Sequence, residues 1–450
     1  MITRIARAAS LLFLLASAGC GQDLLAPGRA ELVTGHETDT WTAKPAPIHV
    51  VVDKLLSSSG DKVSIASGDA PLSNFSLGNG AQGVYRVTAR DKDQVVRVEG
   101  WSVAIDPAAV AAHTLPLFVQ RSDSFARPPG LLGTDQGTAP PAVVFGARHL
   151  LLGGAAQDTK IVLDGYDLGL WTPDSTTTTI ACPSRPCHFR SFAVVASVAL
   201  GVGDDWAVWY DVDVGESGKA PLPDGLTSFA DIAGGQTVAA PDGSAYIVGA
   251  TRADPPTASV LRIDADKTLH ALSLVTPRAG AAAAWVEGRG LVVAGGSAQG
   301  AGVELAAADA TAFGAVDYGA DPTTGSALTV LDGSSVLRVG GRDAQGNPAA
   351  TVSLALGCKN ACTPAPRGNP VPLDAARAFH FDAGDALVVG TDKSGMTGAI
   401  RLTGDAQTPV QLREPRKGAT ALLAPTGQVA VVGGVRADGT PLRSVELYLP

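Results

Sequence analysis

A short aliphatic strand running into glycine recurs along this chain, and it constrains the fold more than any other feature. It reads Leu150-Leu151-Leu152-Gly153-Gly154 and then, degenerately, Val198-Ala199-Leu200-Gly201. Tyr246-Ile247-Val248-Gly249, Val292-Val293-Ala294-Gly295-Gly296 and Leu337-Arg338-Val339-Gly340-Gly341 follow. Leu387-Val388-Val389-Gly390 and Ala430-Val431-Val432-Gly433-Gly434 complete the series. Successive leading glycines lie 48, 48, 46, 45, 50 and 43 residues apart, a period that suits a blade of four strands.

The units share an internal order. In the fourth, a small-residue strand at 281–286 suits a crowded inner rim, a Glu287-Gly288-Arg289-Gly290 turn follows, and then the aliphatic strand 291–296. Strands at 303–306 and 312–318 are expected after it. The seventh unit repeats the order with 419–424, 429–434 and 444–448. Glycine pairs permit positive φ and close approach where strands crowd. The reading is an all-β chain built around a seven-bladed β-propeller over 114–450, preceded by a small β-sandwich-like domain.

An aliphatic strand ending in a double glycine, then a polar loop and Val445-Glu446-Leu447-Tyr448, resembles a kelch repeat. The resemblance is strongest in the fourth, fifth and seventh units and weakest in the second. The aromatic partner usual in that family survives best as Tyr448. It implies a galactose-oxidase-like propeller. The chain stops after the third strand of the seventh unit, so the outer strand of that blade must come from elsewhere. Residues 115–120, Leu-Pro-Leu-Phe-Val-Gln, are expected to supply it, because an unpaired last edge invites aggregation.

The first twenty residues form a secretory leader: Arg4 and Arg7, then an apolar stretch over 8–18 too short to span a bilayer. The ending Ser17-Ala18-Gly19-Cys20 resembles a bacterial lipobox, although Ser17 stands where that family favours leucine. The resemblance implies that Cys20 is acylated and becomes the mature N-terminus. More than one acyl chain would then hold the protein at a membrane. Gly21 after the cysteine implies, by the same resemblance, the outer membrane. Residues 21–30 read as a tether and 31–105 as the small β domain, for which an immunoglobulin-like arrangement is one option. Asp106-Pro107 followed by alanines reads as a short helical linker over 106–113.

Four cysteines remain, as Cys182-Pro-Ser-Arg-Pro-Cys187 and Cys358-Lys-Asn-Ala-Cys362. In an exported chain each pair is expected to close a small disulfide loop, in preference to a zinc site for which the spacings are wrong.

The formal net charge of −9 gives no basic footprint for nucleic acid or anionic lipid. Seven histidines, at 36, 49, 113, 149, 188, 270 and 380, form no His-x-His or His-x-x-x-His pattern. Asp343, Asp392 and Asp438, after the glycine strands, read as turn residues, and Asp204-Asp205-Trp206 as a solvated turn beside a packed indole. The sequence therefore names no catalytic residue, metal or cofactor. A monomeric, envelope-anchored binding or scaffold module for a protein or glycan is the expectation. An enzyme with its site at the propeller channel and a purely structural surface protein are the alternatives.

Overall fold

The structure is a computed structural model describing residues 28–450 except 79, 111–112, 158, 175–177, 186 and 382–384. Cys20, the leader and most of the tether lie outside the described residues. The chain is all-β and propeller-like: among the described residues, seven antiparallel sheets follow one another after a separate N-terminal unit.

Sheet 1 comprises Ala142–Phe145, His149–Gln157 and Lys160–Asp167, with Thr172–Pro173 and Thr178–Ala181 both on its outer edge. Sheet 2 runs Ser191–Val195, Val198–Val202, Ala207–Asp211, Glu216–Lys219, and sheet 3 runs Gln236–Ala239, Ala245–Val248, Thr257–Ile263, Leu269–Arg278. Sheet 4 is Ala282–Val286, Gly290–Ala294, Val303–Ala306, Gly314–Val316, and sheet 5 is Ala327–Asp332, Ser335–Val339, Val352–Ala355, Ala365–Pro366. Sheet 6 follows with Asp374–His380, Asp385–Thr391, Thr397–Thr403, Ala406–Val410. Sheet 7 has Thr420–Leu423, Val429–Val432 and Glu446–Leu449, and Ser124–Ala126 is its fourth strand.

Period-2 alternation explains why the aliphatic strands are apolar throughout. In the second strand of sheet 4, Leu291 and Val293 pack with Tyr246 and Val248 of sheet 3, while Val292 and Ala294 pack with Leu328 and Val336 of sheet 5. Both faces are buried, so no polar position is left. The same holds around the molecule. One core joins Leu200 of sheet 2 to Ile247 of sheet 3, and others join Val388 to Val339 and Leu387 to Val431. The last joins Leu150 and Leu152 of sheet 1 to Ala430 and Val432 of sheet 7. The first strands touch in the same cyclic order, and that of sheet 7 meets that of sheet 1. Small side chains such as Ala282 and Ala283 fit where those strands crowd.

The N-terminal unit has two sheets, Asn74–Ser76, Arg29–Val33, Thr114–Phe118 and Lys62–Asp69, His49–Leu56, Gly83–Arg90, Val96–Ile105, Gln120–Arg121. They enclose one core that includes Val50, Val52, Tyr85, Val87, Phe75 and Leu117.

Two expectations need correction here. Residues 115–120 do not complete sheet 7. Thr114–Phe118 runs parallel to Arg29–Val33, so it belongs to the N-terminal unit, which therefore extends past residue 105. A turn at Asp123, with φ 59°, then lays Ser124–Ala126 against Leu447–Leu449. The chain end does borrow its outer strand from ahead of the first sheet, but from a few residues further on. The helix expected over 106–113 is also absent among the described residues there. Residues 107–110 form turns, with Ala109 N–H donating to Asp106 and His113 N–H to Val110. A span this short cannot offset the cost of helix nucleation.

Candidate functional site

Each sheet is reached through a linker from the sheet before it, and the linkers line one end of the first strands. Three of these joints are built alike. Glu304, in the third strand of sheet 4, accepts from the backbone N–H of Val275 (2.6 Å) and Thr276 (3.1 Å), and Arg278 Nη2 donates to it at 2.6 Å. Glu446 of sheet 7 accepts from Arg413 N–H (2.6 Å), Glu414 N–H (3.0 Å) and Arg416 Nη2 (2.7 Å). Asp164 of sheet 1 accepts from Gly133 N–H (3.1 Å), Thr134 N–H (2.8 Å) and Gln136 Nε2 (3.2 Å). In every case the side-chain donor lies two residues after the second backbone donor.

Both arginine–glutamate pairs have side chains at 0 % exposure. Further N–H groups of the arginines go to backbone carbonyls: Arg278 to Gly295, Ala301 and Gly302, and Arg416 to Gly433 and Ser444. Such a buried pair is tolerable because nearly all its hydrogen bonds are made, Arg278 Nε being left without an acceptor among the described residues. Burial pushes the Glu446 carboxyl up, against the pull of Arg416 and its backbone donors.

Pro277-Arg278-Ala279-Gly280, Pro322-Thr323-Thr324-Gly325 and Pro415-Arg416-Lys417-Gly418 are the sequence signal for these linkers, and the glycine-strand repeat did not point to it. Gly280 donates to Arg252 O (2.5 Å), Gly325 to Gly280 O (2.8 Å) and Ala376 to Gly325 O (2.9 Å), so successive linkers step along a chain of backbone hydrogen bonds. Gly325 has φ +69°, and a Cβ there would lie 2.0 Å from Asp374 Oδ1.

The repeat glycines take several conformations. Gly295, Gly296, Gly340, Gly341, Gly433 and Gly434 all have positive φ. Gly153 and Gly154 instead continue an extended strand. A Cβ at Gly153 or Gly201 would meet the Phe189 ring. Gly249 opens a 3-10 turn, and Gly390 lies within a strand. Cys182–Cys187 and Cys358–Cys362 are disulfide-bonded, with Cα atoms 5.6 and 5.9 Å apart.

Asp343 and Asp392 each accept from two backbone N–H groups ahead of them, and Asp438 from Thr440 N–H, so all three close turns. Trp206 is buried beside the Asp204-Asp205 turn. His149, His188 and His270 approach Asp174 (3.5 Å), Asp204 (3.8 Å) and Asp264 (3.0 Å), at separate places on sheets 1, 2 and 3. Among the described residues no three His, Cys, Asp or Glu side chains gather as a metal site would require, and no helix is long and apolar enough to cross a membrane.

Two open grooves lie on the outside. One of about 530 Å³ runs beside Asp205, Trp206, Lys219, Leu222 and Phe229. The other, about 580 Å³, lies between sheets 6 and 7 and is lined by Asp123, Arg401, Gln411 and Arg413.

No family model matches this chain, and no curated protein matches it. Similar solved structures include a chain of a mitotic checkpoint complex, at 12 % identity and TM-score 0.41, covering 73 % of this chain and 92 % of that one. Another is an oligogalacturonate lyase in complex with manganese, at 14 % identity and TM-score 0.43, covering 70 % and 90 %.

Proposed function

We propose that the chain is an exported envelope lipoprotein, anchored through Cys20 at the outer membrane. Its seven sheets are the blades of a kelch-like β-propeller, and its N-terminal unit is a small sandwich. The propeller acts as a non-catalytic binding or scaffold module for an envelope protein or a surface glycan.

The observation that supports this reading is the cycle of buried cores and first-strand contacts that returns from sheet 7 to sheet 1. A closed ring of two-sided cores is stiff, and stiff scaffolds suit the display of loops for recognition. The disulfide loops fit an oxidising compartment.

Crosslinking in intact native cells, with the full lipidated protein and a Cys20→Ser variant, tests the proposal. The wild type should fractionate with membranes and capture one reproducible envelope partner or glycan. The variant should appear in the soluble fraction. Equal fractionation of the two would overturn the anchor, and capture of nothing by the wild type would overturn the scaffold role.

A further inference from the structure

Sheets 1 to 6 are each built from consecutive strands, whereas sheet 7 takes its fourth strand from ahead of sheet 1. The seam so formed is three register pairs long: Leu447 with Ala126, Tyr448 with Phe125 and Leu449 with Ser124. Three pairs are little to set against the entropy of closing so long a loop.

The N-terminal unit grips both sides of this seam. Gln120 is fully buried and lies in the strand Gln120–Arg121, which pairs with Val96–Ile105 of that unit. Its Nε2 donates to Ser124 O (2.8 Å) and to Leu447 O (3.0 Å), one carbonyl on each strand of the seam. Its Oε1 accepts from Gln428 Nε2 (3.0 Å), beside the second strand of sheet 7. Glu37, 7 % exposed, accepts from Arg127 N–H (3.2 Å) and Arg127 Nε (3.0 Å), just past the closing strand. The same carboxylate lies 3.7 Å from Arg413 Nε in the linker entering sheet 7, and Arg413 Nε donates to Phe125 O (2.7 Å). His36 N–H donates to Arg127 O (3.0 Å). Towards sheet 1, Trp171 Nε1 donates to Pro116 O (3.2 Å), and the Phe118 and Trp171 rings lie 5.3 Å apart. Among the described residues, the polar contacts of residues 28–121 with the ring reach sheets 1 and 7 and the segments beside the seam, and none reaches sheets 2 to 5.

We propose that the N-terminal unit is a clamp on the ring. While it is folded it holds the seam shut, and a partner or a load that loosens it opens the ring at the seam and leaves the other joints closed. Local opening follows the least stable element, and in sheets 1 to 6 each strand is tied to the next by the chain itself, a tie the seam lacks. Arg29–Val33 is paired inside the same unit, so a pull on the N-terminus is delivered to the clamp. This inference rests on the propeller reading and adds a control element to it.

Amide hydrogen exchange of the full chain, followed by mass spectrometry, tests the clamp. Two variants loosen it without touching the seam strands: Tyr85→Ala, which empties the core of the N-terminal unit, and Glu37→Gln, which weakens the hold on Arg127. Each should speed exchange in Glu446–Leu449 at least about tenfold, the effect of losing one charge-assisted hydrogen bond. Exchange in Val303–Ala306, the third strand of sheet 4, should stay at the wild-type rate. In an oxidised Ser124→Cys, Leu449→Cys background the same variants should leave Glu446–Leu449 protected, because a covalent seam no longer needs the clamp. Unchanged exchange in Glu446–Leu449 in either folded variant, or equal loosening of Val303–Ala306, would overturn the clamp. If Tyr85→Ala does not fold, Glu37→Gln decides alone on the same two segments. Failure here leaves the ring itself standing, because the crosslink between positions 124 and 449 tests its closure separately.

Discussion

The joint entering sheet 4 and the joint entering sheet 5 solve one problem with opposite polarity. Entering sheet 4, the last residue of the outgoing strand of sheet 3, Arg278, carries the cation, and the third strand of sheet 4 carries the acid, Glu304, which lies opposite Val293. Entering sheet 5, Arg338 occupies the register of Val293, and Val352 takes the place of the glutamate. The acid has moved to the linker, where Asp321 and Thr323 receive the Arg338 guanidinium. The sheet 4 acid also holds two backbone N–H groups, whereas Asp321 holds one, that of Thr323 at 3.1 Å. The difference teaches that a charge pair across the joint can run in either direction, and Gln136 at the joint entering sheet 1 shows that the partner of the acid need not carry a charge.

The largest expected effect follows from the extra duty of the glutamate. Glu304→Ala leaves Arg278 buried without its partner and orphans two N–H groups, and should cost about 3–5 kcal/mol in denaturant unfolding. Arg338→Ala strands no comparable backbone donors and should cost about 2 kcal/mol. Equal losses in the two variants would break the comparison. Replacing Cys358 and Cys362 together by serine should cost about 1–2 kcal/mol, since the loop they close is short.

The smallest effect is one of pH. Burial pushes the Asp167 carboxyl up, but hydrogen bonds from Arg148 and from the N–H groups of Gly169 and Leu170 outweigh it and hold it below the usual range. A depressed pKa contributes stability above the unfolded value, near 4, that is lost as pH falls through the folded value. Arg148 is partly exposed, so Arg148→Gln should change stability at neutral pH by less than about 1 kcal/mol. The acid-unfolding midpoint should nevertheless move to higher pH, and an unmoved midpoint would show that the arginine does not hold the Asp167 carboxylate.

The strands of the ring could be read from the sequence because their burial is two-sided. Leu291-Val292-Val293-Ala294 has no solvent face, and the glycines that follow mark where the strand ends. The joints could not be read so easily. Arg278 and Glu304 are separated by two whole strands and the turns around them, and either residue alone resembles an ordinary surface charge. The closing strand is hard to place from sequence because Ser124–Ala126 has three residues and no alternation to recognise, whereas the longer apolar run just before it pairs elsewhere.

Closure of the ring through the borrowed strand is the central claim. Ser124 and Leu449 are register partners, separated by almost the whole ring in sequence. A Ser124→Cys, Leu449→Cys variant, oxidised and then mapped by mass spectrometry, tests that pairing directly. The account predicts a crosslink between the two positions and a raised melting temperature, since the new bond closes a very long loop. Two free thiols after oxidation, with the native disulfides intact, would contradict it.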